Sequence, residues 1–472
     1  MTANGQRTYI EAIESSCSRY PDLVKLSRFF QHPRWPGLPP GRAAVLEFRG
    51  GSVTRFDFQS AEKLNTYFSG IVGDSCDCRL YLLEDLSKQF VEAFGAHFWM
   101  DPFLFAAHEN STHWTATKFD YALPRRLPSS DKLDPSFTLR YYEVVKLLGS
   151  EMEKESLKTV SNVHRKIELG DLSHSFDHHS QPKTYVVRRN ASFWSRDRED
   201  GGWDALIVVD PPIGDSALTS SSQRKHWPNV PYGYGYVDFT PWNSDNERLA
   251  QQSAICGPPR KSILDDTAWY WMNKASAEQI AEVRKDALIS SIFLKKIVAS
   301  NWNVLLEFVW AKLSDFEREL RYVEGTKLNY LAETLADVNL FRRRLSWYHD
   351  EVEMSMRSMG ITPDSVSDDE DGKEIRSRLQ GCKEKVESLT PIVTGMLNVR
   401  QADISMRETR LVSKLTLVAL VFIPLSFTAS IFSMGGGFLP GSSQFWVYFA
   451  VAVPITLIIL ALAWWLQGKS II

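Results

Sequence analysis

The chain has 472 residues, and its 54 lysines and arginines against 57 aspartates and glutamates give a formal net charge of -3. This balance excludes a strongly basic nucleic-acid-binding protein. Apolar residues make up 44% of the chain, which excludes a largely disordered protein. The mean hydropathy is slightly negative, so any membrane part is a small share of the chain.

Residues 1–260 are predicted to form an α+β domain. We expect this domain to be cytosolic, because its N-terminal stretch contains no apolar run of signal-peptide length. Ser87–Phe98 and Phe137–Leu148 show the spacing of helices. Ser216–Asn246 has the polar, Gly- and Tyr-rich composition of a loop. Runs rich in β-branched and aromatic residues predict four strands. These runs are AAVLEFRG from Ala43, CRLYLLEDL from Cys78, TYVVRR from Thr184 and ALIVVD from Ala205.

Motifs for catalysis and metal binding are weak in this domain. Five cysteines are too few and too scattered for a disulfide framework, and the one close pair, Cys76 and Cys78, lacks the second Cys or His pair of a zinc site. The segment that holds His174, His178 and His179 beside Asp171 and Asp177 has the residue types of a metal site, but its irregular sequence also fits a solvated loop. No phosphate-binding loop, G-x-S-x-G or H-E-x-x-H motif occurs. We therefore expect neither enzyme activity nor a bound cofactor.

Residues 261–414 are predicted to form a helical stalk. Ala275–Glu324 and Leu328–Met359 carry apolar residues at helical spacing and contain no proline. A further helix is expected to start near Lys373 and to run into the membrane, weakened or bent near its middle by Pro391.

An acidic linker at 364–372 interrupts the stalk. Its carboxylates are a candidate site for sensing a hard cation, although the alternating ligand spacing of a calcium-binding loop is missing. A solvated linker accounts for the same residues. The four carboxylates are Asp368, Asp369, Glu370 and Asp371.

Two apolar segments near the end of the chain predict transmembrane helices. Residues 415–432 contain no charge and would span about 27 Å as a helix, and residues 445–466 would span about 33 Å. Residues 433–444 would then form an outer loop, and residues 467–472 a cytosolic tail. The protein is thus expected to be a two-pass integral membrane protein.

The flanks of these segments predict the orientation. Arg407, Arg410 and Lys414 precede the first span and Lys469 follows the second, whereas the loop between the spans carries no charge. Because positive flanks stay on the cytosolic side, both termini should be cytosolic. The lack of a basic amphipathic presequence favours the plasma or vacuolar membrane over the mitochondrial one.

A stripe of residues at intervals of three and four follows the first span, and we call it the seam. Its inner part is mostly apolar and its outer part is hydroxylated, so a ring of copies would enclose an apolar constriction and a polar mouth. Two helices cannot enclose a polar path, so conduction requires a homo-oligomer. Close packing of two helices would explain the same stripe. The seam residues are Thr409, Val412, Thr416, Ala419, Ile423, Ser426, Ser430 and Ser433.

Three stretches, together with this architecture, resemble the CorA-type magnesium channels, and most closely their divergent fungal members. The stretches are RLYLLEDLSKQFVEAFGAHFWMDPFLFAAH from Arg79, RRNASFWSRDREDGGWDALIVVDPP from Arg188 and SMRETRLVSKLTLVALVFIPLSFTASIFSMGG from Ser405. The resemblance implies a pentamer in the lipid bilayer whose first transmembrane helix lines the pore. It also implies Mg²⁺ or another divalent cation as the transported ion.

The family closes its first span with a Gly-Met-Asn signature, and the matching triplet here is Ser433, Met434 and Gly435. The resemblance places the ion filter at this triplet, but Gly435 lacks the side-chain amide of the family's Asn. Two functions therefore stand side by side. One is a passive divalent-cation channel, and the other is a non-conducting membrane-anchored sensor or scaffold that has kept the fold and lost the filter.

Overall fold

The computed structural model describes residues 7–31, 41–71, 78–110, 135–148, 157–170, 183–219, 221–239, 257–321, 328–359, 370–435, 437 and 440–469. The chain divides into two units, which we call the sheet unit and the hairpin unit. The sheet unit contains Met1–Val323 and Ala336–Thr390. The hairpin unit contains Glu324–Leu335 and Pro391–Ile472.

The described part of the sheet unit contains one mixed sheet of eleven strands. The strands are β1 (Arg42–Arg49), β2 (Ser52–Phe58), β3 (Cys78–Glu84), β4 (Ser136–Leu147), β5 (Leu157–Thr159), β6 (Lys166–Leu169), β7 (Thr184–Asp197), β8 (Trp203–Val209), β9 (Ser216–Leu218), β10 (Arg224–His226) and β11 (Asn229–Pro231). Their order is β10-β9-β5-β6-β7-β8-β3-β1-β2, and β4 pairs with β7 and β11. Only β3 and β8 run parallel among these pairs. The four predicted strands are confirmed as β1, β3, β7 and β8.

Helices pack on both faces of the sheet. The helices of the sheet unit are α1 (Tyr9–Ser16), α2 (Val24–Gln31), α3 (Ala61–Gly70), α4 (Lys88–Phe98), α5 (Phe103–Glu109), α6 (Ile263–Asn273), α7 (Ala277–Val283) and α8 (Ile292–Arg321). Short 3₁₀ turns lie at Pro21–Leu23, Tyr232–Tyr234 and Ala287–Ser291. Helix α4 confirms the helix predicted at 87–98, and Ser87 is its N-cap residue.

The main core lies between the first five helices and one face of the sheet. Tyr81 and Leu206 of the central strands pack there with Phe90 and Phe94 of α4. On the opposite face, the ring of Phe48 meets Trp271 of α6 edge-on at 5.2 Å. Because both faces are covered, β3 and β8 are buried along their whole length. This arrangement explains why their sequences are apolar without alternation.

The helix predicted at 137–148 is wrong, because this segment forms the long strand β4. It pairs with β7 in antiparallel register from Ser136↔Trp194 to Lys146↔Thr184. Its apolar residues alternate at the start and then shift to a spacing that also suits a helix. The many aromatic and β-branched side chains favour the strand once β7 is available as a partner.

Two further segments differ from their predicted form. The stretch Ala275–Glu324 is divided into α7, a 3₁₀ turn and α8, because the Asp286 side chain accepts a hydrogen bond from the Leu288 N–H at 2.8 Å and starts a new helical segment. The stretch 216–246, expected to be a loop, contributes β9, β10 and β11 to the sheet as far as it is described.

Three long helices complete the described chain: α9 (Leu328–Ser358), α10 (Glu370–Ser433) and α11 (Trp446–Lys469). Helix α9 confirms the helix predicted at Leu328–Met359. Helix α10 begins at Glu370, three residues earlier than Lys373, and stays helical through Pro391. The predicted fold class, an α+β domain followed by long helices and two apolar C-terminal helices, is confirmed.

Candidate functional site

The two predicted spans are helical and long enough to cross a bilayer. The first occupies the end of α10, and the second lies within α11 over Trp446–Trp465. Phe422, Ile423 and Phe427 of the first span are each about two-thirds exposed, at 64%, 67% and 66%. Large apolar side chains in such numbers on a surface indicate a lipid or protein partner rather than water.

One face of the first span packs within the hairpin unit. Pro424 is buried and Thr428 is only 3% exposed. The Thr428 hydroxyl donates to the backbone carbonyls of Pro424 and Leu425 at 2.9 and 3.0 Å. The Tyr448 hydroxyl of α11 donates to the carbonyl of Leu425 at 3.4 Å. Polar groups on this face are therefore satisfied within the hairpin, as a membrane environment requires.

Two small residues of the second span are buried as well. Ala452 is fully buried, and Thr456, which is 8% exposed, donates its hydroxyl to the Ala452 carbonyl at 2.8 Å. The rings of Phe432 and Tyr448 meet edge-on at 6.3 Å near the end of the first span. Small side chains let two helix backbones approach closely, and their packing stabilises a hairpin in lipid.

The seam lies on the opposite side of α10. At about 100° per residue, Ser426 and Ser430 are each about 160° around the helix from Thr428. Ala419 is half-buried, and the other seam residues are exposed. The hairpin contact therefore leaves the seam open. The exposed seam residues are Thr409, Val412, Thr416, Ile423, Ser426, Ser430 and Ser433.

Several seam hydroxyls are bonded to their own helix. Thr409 donates to the Ser405 carbonyl, and Thr416 to the Val412 carbonyl, each at 2.8 Å. Ser433 donates to the Ser430 carbonyl at 2.8 Å. A hydroxyl that donates inward keeps its oxygen lone pairs outward. This arrangement suits contact with the water shell of a cation.

The triplet that matches the family signature lies where α10 ends. Ser433 is the last helical residue, and Met434 is 88% exposed. The N–H of Met434 bonds to the Ile431 carbonyl at 3.2 Å, and that of Gly435 to the Phe432 carbonyl at 3.4 Å. The triplet thus continues the last helical turn, with backbone carbonyls and the Ser433 hydroxyl as its oxygen groups.

The other candidate cation ligands are only partly described. Glu370 and Asp371 occupy the first turn of α10, and both are exposed. Asp368 and Asp369 lie outside the described residues, as does the His-rich segment at 171–179. No group of three or more metal-ligating side chains is found in the described ranges.

The structure also contains a buried ionic cluster that the sequence analysis missed. Arg165 forms a two-point ion pair with Asp210, with both nitrogen–oxygen distances at 2.8 Å. His108 lies 3.0 Å from the Ser192 hydroxyl and 3.4 Å from the Asp210 carboxylate. Burial lowers the pKa of His108 despite Asp210, so the ring is neutral at pH 7.

Asp210 stays charged in this cluster. Burial alone would raise its pKa, but the charges of Arg165 and Arg189 and the contact with His108 lower the pKa well below its usual range. Arg165, His108, Ser192 and Asp210 are each at most 2% exposed. A substrate could not reach them, so we interpret this Ser–His–Asp arrangement as structural. Their wide separation in sequence left no motif that would have indicated the cluster.

In comparisons with known proteins, a family model matches the C-terminal part of the chain. Residues 274–468 match the family model described as CorA-like Mg²⁺ transporter protein. No curated protein sequence matches the chain. This family match begins at the residue after α6 and includes both apolar spans.

Two similar solved structures are full-length CmaX and the CorA magnesium transporter from Methanocaldococcus jannaschii. CmaX is 14% identical, with an alignment that covers 92% of this chain and 99% of CmaX at a TM-score of 0.38. The archaeal transporter is 10% identical, with 89% and 96% of the two chains covered, also at a TM-score of 0.38.

Proposed function

We propose that the chain is one subunit of a passive divalent-cation channel in a membrane, because residues 274–468 match the CorA-like Mg²⁺ transporter model and include two helices long enough to cross a bilayer. Mg²⁺ is the ion that the family description favours. A membrane potential drives such an ion inward by about 2.3 kcal/mol per charge per 100 mV. The protein supplies a path rather than a catalytic step.

The position of the seam is the observation that carries this proposal. A hairpin of two helices cannot enclose a wet path, so the path needs a surface that remains free after the hairpin has formed. The seam is such a surface, since Ser426 and Ser430 lie opposite the packed Thr428. A ring of copies, five by resemblance to the family, would bring their seams together around one axis.

Each part of the seam has a distinct role in this proposal. Val412, Ala419 and Ile423 form apolar rings that close the path by excluding water. Ser426 and Ser430 form polar rings on the outer side, where hydroxyl oxygens accept hydrogen bonds from the ion's water. Mg²⁺ gives up its water reluctantly, so contact through the water shell is the favourable way to admit it.

The filter of this channel consists of Ser433, Met434 and Gly435. Because Gly435 has no amide side chain, its backbone carbonyl and the Ser433 hydroxyl would contact the hydrated ion. These groups offer fewer contacts than a ring of Asn side chains. We therefore propose a filter that selects less strongly for Mg²⁺ over other divalent ions.

The flanking charges support an orientation with both termini in the cytosol. Arg407, Arg410 and Lys414 lie on α10 before the first span, and Lys469 ends α11. Such residues remain on the cytosolic side. The triplet and the uncharged loop then face the opposite side of the membrane. We propose the plasma or the vacuolar membrane as the location.

A liposome assay tests the function. Purified protein in liposomes that contain a Mg²⁺-sensitive dye should admit Mg²⁺, and the double variant Ser426→Leu/Ser430→Leu should abolish the influx by making the polar rings apolar. The matched control is Val418→Leu/Ala429→Leu. These two residues are exposed on one flank of the same span, about 80° and 100° from Thr428. The control should keep wild-type influx.

Two outcomes would decide against the channel. If intact oligomers admit no ion, the non-conducting scaffold is the better description, and recovery of influx by Gly435→Asn would show that the triplet alone had removed it. If both double variants lower influx equally, the seam does not line the path.

A further inference from the structure

A cavity of about 370 Å³ lies in the sheet unit, and none of its lining residues belongs to the membrane spans. Its walls come from the start of α8, the end of α9, the first turns of α10 and one residue of β4. Sites for small ligands start at volumes of about 300 Å³, so the cavity has room for a small molecule. Neither the family match nor the channel proposal assigns it a role.

The floor of the cavity is apolar. Trp302, Val352 and Met356 line it and are 3%, 3% and 4% exposed. The indole N–H of Trp302 donates to the Arg140 carbonyl at 3.0 Å, so this side chain presents only its ring to the cavity. Methionine is flexible and polarisable, and it adapts to apolar ligands of different shapes. The floor therefore favours an aliphatic chain.

The charges at the rim favour an anionic head group. Lys295 and Lys296 of α8 line one side and are half-buried, whereas Glu370 and Asp371 line the other side and are exposed. Exposed charges are screened by water and salt, so the half-buried Lys296 acts more strongly on a bound ligand.

We propose that this cavity binds a single-chain aliphatic carboxylate, with the chain on the apolar floor and the carboxylate beside Lys296. The Lys296 side chain lines the cavity, and its ammonium lies 5.6 Å from the ring centre of Phe239. This site does not depend on ion conduction. It would exist equally in a channel and in a scaffold.

Calorimetric titration of the full chain in lipid nanodiscs, corrected with empty nanodiscs, tests the proposal with three probes of equal length. Octanoate should bind about tenfold more tightly than octanol or octylamine, a preference expected of one charged contact. If octylamine binds as tightly as octanoate, the carboxylates dominate the rim and the proposal is wrong.

Two pairs of variants on α8 locate the site. Ala299→Phe fills the cavity and should lower octanoate affinity about tenfold, while Ala311→Phe, at an exposed position of the same helix, should leave it unchanged. Lys296→Met should remove the preference for octanoate over octanol. Lys312→Met is the matched control and should keep this preference. Lys312 also lies over a phenylalanine ring, 5.8 Å from the ring centre of Phe308, but it does not line the cavity. Equal effects within either pair would overturn the assignment.

Discussion

Strand β8 and the first membrane span are both strongly apolar, yet they place their side chains in opposite ways. Every residue of Trp203–Val209 is buried, whereas Phe422 and Phe427 of the span are mostly exposed. Length accounts for the difference, because a seven-residue strand can only form part of a core and a helix of about 20 residues can cross a bilayer. The same composition therefore encodes a core in the sheet unit and a lipid-facing or subunit-facing surface in the hairpin unit.

The two regions also differ in how they accommodate polar groups. The sheet unit buries full charges and pairs them, as Arg165 and Asp210 show. The membrane part of the hairpin unit uses hydroxyls that bond to nearby backbone carbonyls, as Thr428 and Thr456 do. A buried charge that loses its partner is far more costly than a lost hydroxyl bond. This ranking leads to four tests, from the largest expected effect to the smallest.

Arg165→Met should cause the largest loss of stability, because it leaves Asp210 charged and buried without its main partner. Removal of one partner of a buried pair typically costs about 3–5 kcal/mol. The free energy of unfolding of the sheet unit, followed by tryptophan fluorescence in urea, measures the loss. The control is Arg318→Met, since Arg318 and Asp315 form a pair at 2.7 Å in which the side chains are 68% and 44% exposed. If both variants lose the same free energy, the buried cluster has no special role.

Asp266→Asn should change the pH dependence of stability in the sheet unit. Burial raises the pKa of Asp266 to about 6, although the Tyr236 hydroxyl and the Arg260 N–H bond to the carboxylate at 2.9 and 2.8 Å. Between about pH 4 and 6 the folded state then holds a proton that the unfolded state has lost. This contribution to stability is therefore complete at low pH and is lost as the pH rises through 6.

The difference in unfolding free energy between Asp266→Asn and wild type should consequently shift by roughly 2–3 kcal/mol in favour of the variant from pH 4 to pH 7. Urea titrations at several pH values measure this shift. Asp350→Asn, where the side chain is 77% exposed, serves as the control and should follow the wild-type profile. A constant difference between Asp266→Asn and wild type would contradict the raised pKa.

Ala452→Leu tests the packing of the hairpin. Ala452 is fully buried in the hairpin unit, so a larger side chain should disturb the packing around it at a cost of about 2 kcal/mol. Unfolding of the hairpin unit in a titration with SDS gives this free energy. Val451→Leu places a similar side chain at a neighbouring exposed position and should have little effect. Tolerance of leucine at 452 would mean that the spans are less closely packed than the structure has them.

The sequence was informative wherever one physical requirement dominated. Strands β1, β3 and β8 were predicted because their β-branched and apolar runs have no helical spacing. The two spans were predicted because 18 or more uncharged apolar residues have few soluble explanations. The roles of the seam and of the triplet at 433–435 stay predictions, because they depend on an assembly of several copies.

Contacts between distant segments could not be predicted from one sequence. Strand β4 was taken for a helix because its register with β7, about 50 residues away, is invisible in local spacing. The ion pair of Arg165 with Asp210 was missed for the same reason, since neither residue belongs to a motif. The cavity beside Trp302 likewise depends on three helices and a strand that meet only in the folded chain.

The last test has the smallest expected effect and is the most informative about the seam. It compares two hydroxyls that lie two residues apart. Thr428→Val removes a buried hydroxyl that bonds to the carbonyls of Pro424 and Leu425, and should cost about 0.6 kcal/mol in the SDS titration. Ser430→Ala removes an exposed hydroxyl on the opposite side of the helix, so the hairpin should keep its stability while Mg²⁺ influx into liposomes falls. The reverse pattern would mean that the seam stabilises the hairpin, and the first span would then have no free polar face to line a path.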